Sequence, residues 1–456
     1  MIMKHLFSNY KTILLLLVFV IINCKPPKET PIVTSDNQVY AIKIETIKPI
    51  AMKDFASCES FDVQSSPTTT TEYDYFEGIP DTDGQVDVQV AVGGGYVVHA
   101  TNSGVSIFDK DGKFLTATHQ ACFNEGIDPK LFFDIHNKVF AIDYWHYYDT
   151  PKKKPLNISV SGSADPTKSW STYPISLTTA VDGGALGYSK KWLGYTYPKD
   201  ADKGGTLLLS SEDARLGKET KVYHFDRAIG QPAFGQDATD DIFFLDVDDT
   251  NFTLHKITTD TQNVPYITKV WQKAHQLQYV DYPPASPQKG TKTLVSSGDR
   301  NPKNLVIQGG YLWFAHTINY NGQAAVQWHQ LSLATGATAQ TGILKKAGSN
   351  YIQSTIAVNK DLDVIVGFQE SNANMYVSPC FAYRKASDAK GTLRSVTTIE
   401  KGTGNYGDGT DKTVAWGDYS GSIIDGDNLK DLWTVQSIMH STKEVSNRVV
   451  KLKLQK

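Results

Sequence analysis

One local pattern returns along most of this chain and limits what it can fold into: a short apolar run, a tight turn of Gly, Asn, Asp or Lys, then a denser apolar run. Residues 90–92 and 96–98 flank Gly93-Gly94-Gly95, residues 131–133 and 139–142 flank Asn137-Lys138, and residues 186–188 and 192–195 flank Lys190-Lys191. The pattern recurs as 233–235 with 242–245, 305–307 with 311–314, 356–358 with 364–366, and 422–424 with 432–435. Each repeat reads as a β-hairpin, and no helical periodicity interrupts them. Successive turns lie 43 to 70 residues apart. A four-stranded propeller blade needs roughly 40 to 50 residues. The expected fold is therefore all-β, a single β-propeller of seven blades, with six as the alternative. A pair of β-sandwiches would also give short strands at regular spacing, but it has no reason to repeat one hairpin type.

The longer steps have visible causes. Residues 281–303 hold Pro283, Pro284, Pro287 and Pro302 and read as a surface excursion. Residues 371–411 carry an extended outer pair of strands and a Gly-rich loop. Residues 39–48 alternate as a strand and are expected to complete the last blade.

The N-terminus is organised differently. Lys4 and Lys11 precede an apolar core at 13–22, and Ile21-Ile22-Asn23-Cys24 follows where a signal peptide is cut. A membrane span needs about 20 apolar residues, and charge and proline arrive directly after Cys24. The segment resembles a bacterial lipobox, with Asn23 in place of the usual small residue. That resemblance implies that Cys24 is lipidated and becomes the first residue of an exported lipoprotein. The domain reading is a signal peptide at 1–23, a Pro- and Lys-rich tether at 24–38, and the propeller at 39–456. Lys25 follows the cysteine instead of the Asp that marks inner-membrane retention, which implies an outer-membrane location, with surface exposure left open.

Composition removes several functions. Net charge is −3, and there are six arginines, Arg215, Arg227, Arg300, Arg384, Arg394 and Arg448. A nucleic-acid partner is not expected, because its phosphates demand a basic patch. Beyond Cys24 the cysteines are Cys58, Cys122 and Cys380. In an oxidising compartment a bridge is their natural use. Cys58 with Cys122 is the candidate pair, because they flank the first hairpin unit, and Cys380 is then left reduced.

From residue 78 to 435 the chain resembles the sialidase-like propeller proteins exported by many bacteria. The resemblance is carried by Pro287-Gln288-Lys289-Gly290-Thr291 leading to Asp299-Arg300, by Gly310-Tyr311-Leu312-Trp313, by Ile356-Ala357-Val358-Asn359-Lys360-Asp361, and by Trp416-Gly417-Asp418-Tyr419-Ser420-Gly421. Ser163-Ala164-Asp165-Pro166-Thr167-Lys168-Ser169-Trp170 resembles a degraded Asp-box turn of that family, a structural staple rather than a ligand site. A sialidase grips its substrate carboxylate with three arginines and uses a Tyr nucleophile with an acidic partner. Here no arginine precedes Arg215, so the first of those arginines has no counterpart, and lysine does not reproduce the bidentate contact. Three-arginine sialidase activity is not expected.

Other motifs reduce to architecture. Gly402-Thr403-Gly404-Asn405-Tyr406-Gly407 spells a dinucleotide fingerprint, but Asp408-Gly409-Thr410-Asp411 follows where a helix must begin. Gly417-Asp418-Tyr419-Ser420-Gly421 is only faintly like a serine-protease loop. The turns at 81–87 and 425–431 offer oxygen ligands to a structural calcium but lack the terminal Glu of an EF-hand. No cofactor or other metal is expected. The aromatic run 144–148 reads as a blade strand before it reads as a binding surface.

In a propeller the residues just before each innermost strand converge on the axial mouth. That rule selects Asp87, Asp128, Asp182, Gln231, Arg300, Tyr351, Asp418 and Tyr419 as ligand-binding candidates. The leading expectation is a monomeric, membrane-tethered binding module for a glycan or protein ligand. The alternative is a carbohydrate-active hydrolase with a rearranged site. A clustered carboxylate pair, one member strongly shifted, favours the hydrolase; an apolar or aromatic mouth without such a pair favours binding.

Overall fold

In the computed structural model the described residues are 38–51, 54–63, 65–80, 86–146, 156–177, 183–197, 204–275, 282–407, 409–441 and 444–454. The expected hairpins are each the first two strands of an antiparallel meander. The first meander runs Gln89–Gly93, Tyr96–Thr101, Gly104–Asp109 and Phe114–His119. The same order restarts with the strands Ile127–Asp134, Ala185–Tyr188, Gln231–Gly235, Leu305–Gln308, Asn350–Val358 and Gly421–Ile424. These first strands lie side by side in sequence order. Tyr188 pairs in parallel with Phe234, and residues 233–235 pair in parallel with 305–307. The parallel bridges Asp87 to Tyr419 and Val92 to Asp425 join the last meander to the first and close the ring. That closed ring is a β-propeller.

Why the strands read as dense apolar runs follows from the packing. Meanders stack face to face, so a strand such as Val139–Trp145 is buried at every position and loses the alternation of a half-exposed sheet. The main core runs through the first three meanders and the last and reaches into the sixth, and smaller clusters fill the remaining contacts. All of it lies within the compact unit Asn37–Lys456. The turn residues carry the backbone cost: Gly94, Gly95, Lys138, Gly309 and Gly310 all have positive φ.

The N-terminal segment departs from expectation. Residues 39–47 do not complete the last meander. Val39–Tyr40 pairs with the outer strand of the fourth meander, Lys43–Ile47 with that of the third, and Ile50–Ala51 with that of the second. Ser60 then bridges to Thr118 on the first. The strand that completes the last meander is Tyr73–Glu77, paired with Glu444–Leu452. The segment is thus a belt that passes from one outer edge to the next, satisfying main-chain groups that would otherwise be open to pairing with another chain.

A disulfide fixes the belt. Cys58 is joined to Cys122, which lies in the crossover between the first and second meanders, with their Cα atoms 5.9 Å apart. Phe55, 1% exposed, packs beside it against Phe123, whose ring in turn meets Trp170 edge-on at 5.2 Å. Cys380 is a buried free thiol that burial pushes up to about 12.

Residues 282–303 are not a surface excursion. Ser286, Gln288, Thr293, Val295 and Ser297 are buried, and Leu294–Val295 pairs in parallel with Thr413–Val414. This stretch is packed structure that delivers residues 299–303 to the axis.

Candidate functional site: an acidic axial cavity

The segments that enter the first strands of the second, third, fourth, fifth and last meanders surround a cavity of about 430 Å³. Asp128, Gln231, Asp418 and Tyr419 line it, with Lys130, Asp246, Asp299 and Lys303. Asp87 is fully buried just beneath: its carboxylate accepts hydrogen bonds from Asn102 Nδ2 at 3.0 Å and from the Asp418 main-chain N–H at 2.7 Å. Gly417 makes that contact possible. Its φ is +112°, and a β-carbon there would run into the Val86 main chain where the ring closes.

Asp128 owes its position to a bulge. The pairing of Ile127–Asp134 with Val139–Trp145 shifts register between Ile127 and Lys130, and Asp128 sits in the left-handed region at φ 56°. Its main-chain N–H donates to Asn102 Oδ1 at 2.7 Å, and its carboxylate accepts from Trp145 Nε1 at 3.0 Å. Burial, followed by the charge of Asp87, pushes the Asp128 carboxyl up to about 7.

Lys130 follows on the same strand. Its ammonium lies 2.8 Å from the centroid of the Tyr419 ring, whose hydroxyl donates to Pro129 O at 2.8 Å. Burial lowers the ammonium to about 8 despite the opposing pull of Asp128, Asp143 and Asp87. Asp143, opposite Lys130 in the sheet, accepts the Lys130 main-chain N–H at 2.9 Å and is itself pushed by burial up to about 7. Asp299 behaves differently. Burial raises it, but the Lys303 ammonium at 3.0 Å and hydrogen bonds from Asn301 outweigh that and hold its carboxyl below the ordinary range.

Two candidates fall elsewhere. Tyr351 is 3% exposed and packs on Phe368 at 4.7 Å, inside the core between meanders, so it is not part of the cavity wall. Its strand bulges between Ile352 and Thr355, after Tyr351 has already turned inward. Arg300 pairs with Asp249 and lies over the Tyr282 ring at 5.5 Å, while its neighbours Asp299 and Asn301 face the cavity. Asp182 lies outside the described residues, as does Cys24. Sequence reasoning missed Lys130, Asp299 and Lys303. The available signal was the Asp299 to Lys303 spacing beside the chosen Arg300, in the loop that precedes the fifth meander.

The remaining motifs have structural partners. Asp165 accepts from the Thr167 N–H at 3.0 Å, as a staple of its own turn. At the 425–431 turn, Lys110 Nζ lies 2.7 Å from Asp425 and 2.6 Å from Asp427, so both carboxylates are paired with an ammonium. The 81–87 turn falls largely outside the described residues. Among the described residues, no arginine lines the axial cavity. The three-guanidinium clasp of a sialidase is therefore not assembled there, and the purified protein is expected to release no sialic acid from standard conjugates. Steady release above a heat-treated control would contradict this.

No family model and no curated protein matches the chain. Solved structures similar to it include Kuenenia stuttgartiensis hydrazine synthase (9% identity, 77% of this chain and 93% of that chain, TM-score 0.44). TolB from Acinetobacter baumannii is similar at 11% identity over 80% and 78% of the two chains, TM-score 0.35. An endo-arabinase from Bacteroides thetaiotaomicron is similar at 11% over 72% and 94%, TM-score 0.33. Likenesses of this size bring no residue role across to this chain.

Proposed function

We propose that this chain is an exported lipoprotein, anchored through Cys24 at the outer membrane, whose seven meanders are the blades of a propeller that hydrolyses a polar, saccharide-like substrate in its axial cavity. The observation that carries the reading is the opposed behaviour of two carboxyls that line the same cavity. Asp128 is pushed up to about 7 and Asp299 is held low. Environments that push two carboxyls apart separate an acid from a base. Asp128 holds its proton to near neutrality and serves as general acid to the leaving oxygen. Asp299 stays ionised and faces the electron-poor carbon or its attacking water. Gln231, Asn301 and Asp418 supply hydrogen bonds to hydroxyl groups. The test is release of new reducing ends from a panel of oligosaccharides; no release from any, with binding also absent, sinks the reading.

A second reading, binding without chemistry, is favoured by Lys130. An ammonium set among Asp87, Asp128 and Asp143 can neutralise them as a fixed polar floor beneath a glycan or protein ligand. Affinity for a ligand that is never cleaved separates this from the hydrolase.

The anchor has its own test. Cys24→Ser is expected to abolish acylation and move the protein from the detergent phase to the aqueous phase on phase separation. A variant that still partitions with detergent overturns the lipid-anchor reading.

A further inference from the structure

We propose that the outward edge of the belt, residues 40–50, docks on an anionic phospholipid surface. The proposal rests in part on the lipid-anchor reading, and its test does not use the anchor. Large apolar side chains are exposed at seven described positions, and four of them fall here: Tyr40 (45%), Ile42 (64%), Ile44 (51%) and Ile50 (49%). Tyr40, Ile44 and Ile50 lie one on each of the three belt strands, and Ile42 lies at the bend between the first two.

The belt strands explain why this side is bare. Lys43–Ile47 is the last strand of its sheet, with one edge on Thr220–Phe225 and the other unpaired. Ile47 closes against the core at 5% exposure, while Lys43, Ile44 and Thr46 of the same strand stay exposed. Water-facing apolar side chains this close together in one short segment have no internal structural use, and clustered exposed apolar side chains mark an interaction surface.

Charge and chain continuity select the occupant. Lys43, Lys48, Lys218 and Lys221 are exposed around the row, against two carboxylates, Glu45 and Glu219, of which Glu45 pairs with Lys43 at 3.1 Å. Isoleucine and tyrosine flanked by lysine suit the boundary between acyl chains and anionic headgroups. The belt is also the first described element after the proposed anchor. Residues 25–38 can span at most about 50 Å when fully extended, so an anchored protein keeps this edge close to the bilayer. Binding there presents the propeller rim-on and leaves the axial cavity unobstructed.

Flotation of Asn37–Lys456, which contains the whole core, with vesicles tests the idea. It is expected to bind vesicles of phosphatidylglycerol mixed with phosphatidylcholine, and to bind pure phosphatidylcholine at least several-fold less. Ile42→Glu with Ile44→Glu should weaken binding at least tenfold with an unchanged melting curve; Ile42→Ser with Ile44→Ser is a milder pair should the first destabilise the fold. Absence of wild-type binding, or equal binding by both folded variants, overturns the proposal. So does a self-associated species that the same substitutions dissociate, which would make the occupant a second copy. Because Asn37–Lys456 lacks Cys24, a failure here leaves the phase-separation result on the anchor standing.

Discussion

Asp128→Asn is expected to lower turnover on any cleaved oligosaccharide by at least about 100-fold, the usual range for loss of a general acid being ~10² to 10⁴. The substitution is conservative in every other respect. Asn tolerates the left-handed backbone of this position, and its Oδ1 can still accept the Trp145 indole N–H. Binding should change little, so the loss falls on kcat rather than KM. The pH profile carries the sign. A general acid acts only while protonated, and burial holds this proton up to about 7. Wild-type activity should therefore fall as pH rises through that value, and the alkaline limb should disappear from the residual activity of Asp128→Asn. A variant with turnover and pH profile unchanged would place the acid elsewhere.

The second large effect concerns stability. Replacing Cys58 and Cys122 together by Ala should destabilise the fold by about 4 kcal/mol, the chain-entropy value for a bond that closes a loop of this size. The urea midpoint of the variant measures it. Hydrogen exchange should show where the loss falls, with amides of residues 39–51 losing protection before those of the first strands. An unchanged midpoint would mean that packing of Phe55 against Phe123 suffices to hold the belt.

The hairpins were legible because their turns demand special residues. Gly94-Gly95 and Gly309-Gly310 announce positive φ, and the dense apolar runs beside them reflect burial on both faces. The rule that strand entries converge on the axis selected Asp128, Gln231, Asp418 and Tyr419, which line one cavity in the structure, with Asp87 beneath. It failed at Arg300 and Tyr351 because it counts loops and not side-chain directions. One residue of shift separates Asp299 from Arg300, and a local bulge decides which way a side chain points. The closing strand was illegible for a related reason. Residues 39–48 alternate like a half-buried strand, but Tyr40, Ile42 and Ile44 are exposed. Tyr73–Glu77, with acids at positions 74 and 77, resembles a connector until Glu444–Leu452 is seen beside it.

The order of the belt along the chain has a mechanical consequence. A pull applied through the N-terminus reaches Val39–Tyr40 first, then Lys43–Ile47, then Ile50–Ala51. Each outer pairing is loaded in turn, so the segment peels a few hydrogen bonds at a time instead of shearing a whole sheet. At Cys58 the load passes into the covalent link to Cys122. Tyr73–Glu77, which closes the ring, lies beyond that link in the chain. The protein can give up the length of its belt under force while the ring and its axial cavity keep their shape.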